Sequence, residues 1–184
     1  DPIVEVSVNL ADTITVGAVT LLGMRLSSGE SHLGEVGGST FPIVVTPAVG
    51  AAAYHALDIV GGKLTLPFAA RRAGGSGIIQ DLQIVDASKQ ASELCVYIFN
   101  ADITVAADNA AEATSAADML KYIGHIVIAA SDYRTLANVS VASVKLGWTY
   151  KVTTGTNLYA FIRCTGTPTY GANALQLKFG MLRD

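Results

Sequence analysis

The chain has 184 residues, of which 15% are charged and 51% belong to the hydrophobic class, and its mean hydropathy is +0.43. Such a composition excludes intrinsic disorder, and a formal net charge of −3 excludes a nucleic-acid grip built on a large positive field. The length fits one compact domain with an arm.

The dominant period is two. From Ile3 to Leu10, Val4, Val6, Val8 and Leu10 share one face while Glu5, Ser7 and Asn9 share the other, the pattern of a half-buried strand. Alternating runs follow at Thr13–Val19 and Leu21–Leu26, then a polar loop at Ser27–His32 and a glycine-rich linker at Gly34–Thr40. The stretch between Glu35 and Asp58 carries no charge and is long enough to cross a bilayer. However, Gly37, Gly38, Pro42, Pro47 and Gly50 would leave backbone groups unpaired in lipid, so it reads as an extended apolar connection. The opening Asp1-Pro2-Ile3 has no basic region, and no signal peptide is expected.

Beyond Asp58 the expected strands are Lys63–Phe68, Ile78–Val85, Leu94–Phe99, His125–Ala129, Val139–Leu146, Trp148–Thr153, Asn157–Arg163 and Leu175–Leu182. Leu94–Phe99 is apolar on both faces and belongs in the middle of a sheet. Cys95 and Cys164 fall within strand-like runs and read as buried free thiols. One segment has helical spacing instead. Met119, Leu120 and Ile123, with Ser115 and Asp118 as a capping pair and Gly124 as a stop, predict a short helix over about residues 115–123.

Catalytic patterns are nearly missing. Gly74-Gly75-Ser76-Gly77-Ile78 approaches a nucleophile elbow, but Ile78 stands where the last glycine belongs, and a strand follows where a helix is needed. The histidines, His32, His55 and His125, form no metal-ligand spacing. His125, Ser131 and Asp132 are the residue types of a triad, yet sequence proximity is not triad geometry. Asp81, Asp86, Asp102 and Asp108 read as acids that hold turns, and Asn138-Val139-Ser140 as a chance sequon. The expectation is a protein that is not an enzyme, with no catalytic residue, metal or cofactor.

Arg71-Arg72 reads first as a solvated loop, or as a contact for an acidic partner surface. Trp148, Tyr150, Tyr159, Phe161 and Tyr170 could line a sugar-binding face, although alternating aromatics on strands more often form core or subunit contacts. Charge is uneven along the chain. Residues 1–60 carry six acids against Arg25, whereas the remainder carries eleven bases and nine acids. An acidic front and a near-neutral body point to different neighbours.

Several stretches resemble tailed-bacteriophage virion proteins of the head decoration or minor capsid kind. They are Ala53-Tyr54-His55-Ala56-Leu57-Asp58-Ile59-Val60-Gly61-Gly62-Lys63-Leu64-Thr65, Gly74-Gly75-Ser76-Gly77-Ile78-Ile79-Gln80, and Asp118-Met119-Leu120-Lys121-Tyr122-Ile123-Gly124 with Ala129-Ala130-Ser131-Asp132-Tyr133. The ending Leu177-Lys178-Phe179-Gly180-Met181-Leu182-Arg183-Asp184 completes the set, in the expected order. The resemblance covers roughly residues 50–184 and not residues 1–45. It implies a β-sandwich displayed in many copies on a capsid, with trimers as the expected oligomer and no active-site residue to transfer.

The reading is therefore an all-β antiparallel β-sandwich, jelly-roll-like, with one short inserted helix and an extended N-terminal β arm. The arm is 1–45, a linker 46–56, and the sandwich 57–184. Expected partners are a major capsid protein and copies of the chain itself, without nucleic acid or membrane, at the capsid surface of a virion assembled in the host cytoplasm. Candidate contacts are Ile3, Val4, Val6, Val8, Leu10, Phe41, Arg71, Arg72 and Tyr170. The alternative is a carbohydrate-binding module or tail-associated adhesin.

Overall fold

A computed structural model describes residues 39–183, which fall within one unit, Glu35–Asp184. The strands are β1 (Ser39–Val45), β2 (Ile59–Leu66), β3 (Ser76–Asp86), β4 (Leu94–Phe99), β5 (Tyr122–Ile128), β6 (Arg134–Thr135), β7 (Ser140–Lys151), β8 (Leu158–Cys164) and β9 (Leu175–Arg183). A helix, α1 (Ala116–Met119), precedes β5. Five strands form one sheet in the order β1-β9-β3-β7-β6, and four form the other in the order β2-β8-β4-β5, with every pair antiparallel.

Apart from the two-residue β6, the partners nest: β1 lies by β9, β2 by β8, β3 by β7 and β4 by β5. First pairs with last and so inward, as in a long hairpin wrapped around a barrel axis, which is the winding of a jelly roll. The alternating runs explain the two layers. Leu82 and Ile84 on β3, Leu177 and Phe179 on β9, Val96 and Ile98 on β4, and Ala160 and Ile162 on β8 all point between the sheets and are buried together. β4 sits between β8 and β5, as its two apolar faces require.

Three boundaries differ from the sequence reading. Ser39–Val45, assigned to the arm, is an edge strand of the sandwich, hydrogen-bonded to β9 with Ile43 in the core. Pro42 fits that place, because an edge strand tolerates proline where one side of its backbone needs no partner. The two strands expected at 139–146 and 148–153 are one, β7, bent where Leu146 and Gly147 oppose the single residue Gln80. Gly147 has φ +71°, the left-handed geometry that such a bulge takes.

The helix, third, stops at Met119 rather than residue 123. Ser115 caps it as expected, accepting the Asp118 N–H at 3.1 Å. Tyr122 onward is claimed by β4, and Gly124 serves close packing in β5 rather than helix termination. Met119 and Leu120 consequently stand 42% and 88% exposed.

Both cysteines are buried and free. Cys164 lies opposite Leu94, one residue from Cys95, so alternation sends the two thiols to opposite faces of the sheet.

Candidate functional site

The two sheets turn different surfaces outward. On the five-stranded sheet the outward positions include Gln83, Ser143, Gln176 and Lys178, all exposed, and Lys145, which pairs with Asp81 at 3.1 Å. The four-stranded sheet turns out aromatic rings. Its register aligns Lys63, Phe161, Tyr97 and His125 across the four strands, with Thr65, Tyr159, Phe99 and Tyr122 as the adjacent row. Tyr97 stacks on Phe161 at 4.7 Å and on His125 at 5.4 Å between ring centroids, and the Arg163 guanidinium lies 5.3 Å from its centre. The Tyr122 hydroxyl and His125 Nδ1 are 2.5 Å apart. Period two places most of these side chains together, on the parity opposite to the core positions of their strands; Tyr122 shares the parity of the core residues Ile126 and Ile128 and joins the row through the register shift between Ile98 and Phe99.

The segment between β4 and α1 closes one side of this face. Ile103, with Val105 and Ala106, packs on Ile59, Phe99 and Phe161. Asp108 pins that segment to the rest of the sheet. Its Oδ1 accepts the Tyr54 hydroxyl and the Gly61 N–H, each at 2.6 Å, and its Oδ2 accepts the Gly50 N–H at 2.8 Å. Gly61 belongs to a two-glycine bulge in β2, with φ +78° at Gly61 and +68° at Gly62. The other side of the face stays open: Val127 is 51% exposed and His125 is exposed.

Burial, with Cys95 adding to it, pushes the Tyr97 phenol up to about 12, and burial raises the Tyr122 phenol as well. Both remain neutral near pH 7. Phe99 and Phe161 are buried under the segment between β4 and α1, so the open side offers Tyr97, Tyr122 and His125 with the Arg163 cation over Tyr97, and it suits non-covalent contact with an apolar or planar surface.

The residues singled out from sequence fall as follows. Ile3, Val4, Val6, Val8 and Leu10 lie outside the described residues. Phe41 is half-buried on β1 beneath the Arg183 guanidinium, 3.7 Å from its ring centre. Arg71 and Arg72 are exposed in the loop after β2. Tyr170 is not a surface contact. It is 1% exposed in the core, edge-on to Tyr54 at 6.0 Å, because Thr169 and Gly171 turn outward on either side of it. Tyr150 is likewise core and Trp148 is half-buried; Tyr159 and Phe161 lie on the outward side of β8, where Tyr159 is half-buried and Phe161, 1% exposed, is covered by the segment between β4 and α1.

His125, Ser131 and Asp132 serve separate local ends. Asp132 Oδ2 accepts the Ala129 N–H at 2.9 Å in a 3-10 turn, while the ring of His125 engages Tyr97 and Tyr122. Asp86 and Asp102 hold turns as expected, accepting from Ala91 and Ile103 at 2.9 Å each. Among the described residues, no three His, Cys, Asp or Glu side chains gather in a metal-binding arrangement. A cleft of about 360 Å³ at one end of the five-stranded sheet is lined by Ser76, Ile78, Thr149, Tyr150, Leu182 and Arg183. Its one charged side chain, Arg183, donates to the Phe68 carbonyl at 2.6 Å.

No family profile and no curated protein matches the chain. Among solved structures, one of desmodium yellow mottle tymovirus aligns with 92% of this chain and 92% of its own, at 13% identity and a TM-score of 0.29. At that score the likeness carries no argument about fold or function.

Proposed function

We propose that the protein is a structural virion subunit that binds the outer capsid surface of a tailed phage as a decoration or cement protein, bridging capsid subunits as a trimer. The observation that carries this reading is the contrast between the two sheet faces: one polar, the other presenting Tyr97, Tyr122, His125 and Val127 at its open side. The resemblance of residues 50–184 to phage virion proteins supports it as well. Jelly rolls recur in capsid and lectin domains, so the winding is compatible with the role without selecting it. Bridging works by area. A standard interface buries about 1,600 Å² in total, and many weak joints on one shell act together.

The chain then performs no catalytic step and needs no cofactor. Its place is the capsid surface of a virion assembled in the host cytoplasm. The acidic front segment is assigned to attachment. Imaging particles that carry the full chain and a version lacking residues 1–34 tests both points. Full-length protein is expected at regular exterior positions, and the truncated form at clearly reduced occupancy. Equal occupancy removes the attachment role, and a clean monomer by light scattering removes the trimer.

The second reading, a carbohydrate-binding module or adhesin, draws on the stacked Tyr97 and His125 rings at the open side of the face. Binding on a glycan array that Tyr97→Ala abolishes would favour it over assembly. An array without signal removes it.

A further inference from the structure

On β3, Leu82, Ile84 and Asp86 share the inward side, so period two carries a carboxylate into the end of the core, where Asp86 is 1% exposed. Its Oδ2 accepts the Ala91 N–H at 2.9 Å, while its Oδ1 is buried with no hydrogen-bond partner among the described residues. Two phenols share this condition. Tyr133 and Tyr170 are 7% and 1% exposed, and both hydroxyls are buried without a partner among the described residues.

The topology places the three at one end of the sandwich. Tyr133 leads into β6, whose Thr135 pairs with Ser140 of β7, and Ser140 in turn pairs with Asp86. The other register partner of Asp86 is Leu175, which opens β9 shortly after Tyr170. The groups also act on one another. After burial itself, Asp86 raises the Tyr133 phenol, and Tyr133 and Asp86 raise the Tyr170 phenol.

An acceptor and two hydroxyls, each buried and unpaired, are costly alone and complementary in company. We propose that one ordered water molecule occupies this end of the sandwich, donating a hydrogen bond to Asp86 Oδ1 and bonded to the hydroxyls of Tyr133 and Tyr170. Three bonds are what an internal water typically makes. A calcium ion fits less well, since it takes about six to eight oxygens and three are on offer here. The water ties the end of β3 to the segments leading into β6 and β9. Tyr170 also meets Tyr54 edge-on, and Tyr54 donates to Asp108, so this site and the Asp108 cluster flank a single aromatic pair.

A crystal structure of the full chain that shows ordered solvent tests the assignment, together with thermal unfolding of Tyr133→Phe, Tyr170→Phe and the double variant. A solvent peak is expected within about 2.5–3.0 Å of all three oxygens. Each single variant is expected to lower Tm by about 2–4 °C, and the double variant by less than the sum, because the lost bonds share one water. A hydroxyl bonded directly to Asp86 Oδ1 with no solvent between them overturns the proposal. So does strict additivity, or a peak with six or more oxygen ligands at about 2.4 Å. Should a variant fail to fold, the map of the unaltered chain decides alone.

Discussion

Asp108 shows how much one carboxylate can organise. Its partners Gly50, Tyr54 and Gly61 lie 58, 54 and 47 residues away, in a linker, at a core ring and in a strand bulge. Asp108→Ala leaves the buried Tyr54 hydroxyl and two N–H groups without their acceptor, and it is expected to cost about 2–4 kcal/mol in urea unfolding. Asp108→Asn keeps one acceptor oxygen but turns an amide N–H₂ toward donors, and about half that loss is expected. The bulge gives an independent check. A Cβ on Gly61 would stand 2.2 Å from the Cβ of Pro47, whereas at Gly62 the nearest atom is 3.9 Å away. Both have left-handed φ, so Gly62→Ala should cost about 1–2 kcal/mol and Gly61→Ala distinctly more. Equal costs would show that the Pro47 contact yields freely. The sequence shows Asp108 as a turn-holding acid and the two glycines as punctuation; their convergence is a long-range fact that spacing does not encode. Asp86, read as a turn acid beyond a strand ending at Val85, is the last residue of β3, and its parity with Leu82 and Ile84 is what buries it.

At the scale of elements, alternation located the strands of the body well, and it failed where one residue broke the period. Gly147 split β7 in two on paper, although the bulge that it permits keeps the strand continuous. Helical spacing over 115–123 was genuine at its start, where Ser115 and Asp118 form the cap, and tertiary pairing with β4 overrode its end. That cap has a pH signature. The Lys121 ammonium, 2.8 Å away, and the Ser115 hydroxyl hold the Asp118 carboxyl below its ordinary 3.8. A folded value below the unfolded one means that the contribution is complete above about pH 4 and is lost as pH falls through the lowered value. Acid titration of Tm should show this slope, and Asp118→Asn should flatten it. Gly124 offers a second test, since a Cβ there would lie 2.7 Å from the Trp148 ring. Trp148 is the single tryptophan, so Gly124→Ala should shift its emission as the indole moves. Unchanged emission would mean that the backbone of β5 gives way instead.

For the whole molecule, nested pairing was not readable from any run of residues, because a strand's alternation says which face is buried and never which neighbour it takes. The outer aromatic face was half readable: Tyr159 and Phe161 were visible as alternating rings, but not their alignment with Tyr97 and His125 across three strands. That face bears on the chain's 15% charged residues. Core burial accounts for the inward positions and, under the segment between β4 and α1, for Ile59, Phe99 and Phe161. The outward positions of the five-stranded sheet carry the usual lysines and glutamines, so the deficit of charge concentrates on the other sheet, where a covering partner would make charges costly. If that face joins copies or capsid, a charge at its open side should weaken assembly and leave the fold intact. Val127→Lys, at a position 51% exposed, should change monomer stability by no more than about 0.5 kcal/mol and strongly reduce particle occupancy. Lys178→Glu, on the polar sheet, is the matched control and should leave occupancy unchanged. Occupancy that survives Val127→Lys, or that falls equally in both variants, would remove this face from the assembly contact and return the low charge to an unexplained property of the chain.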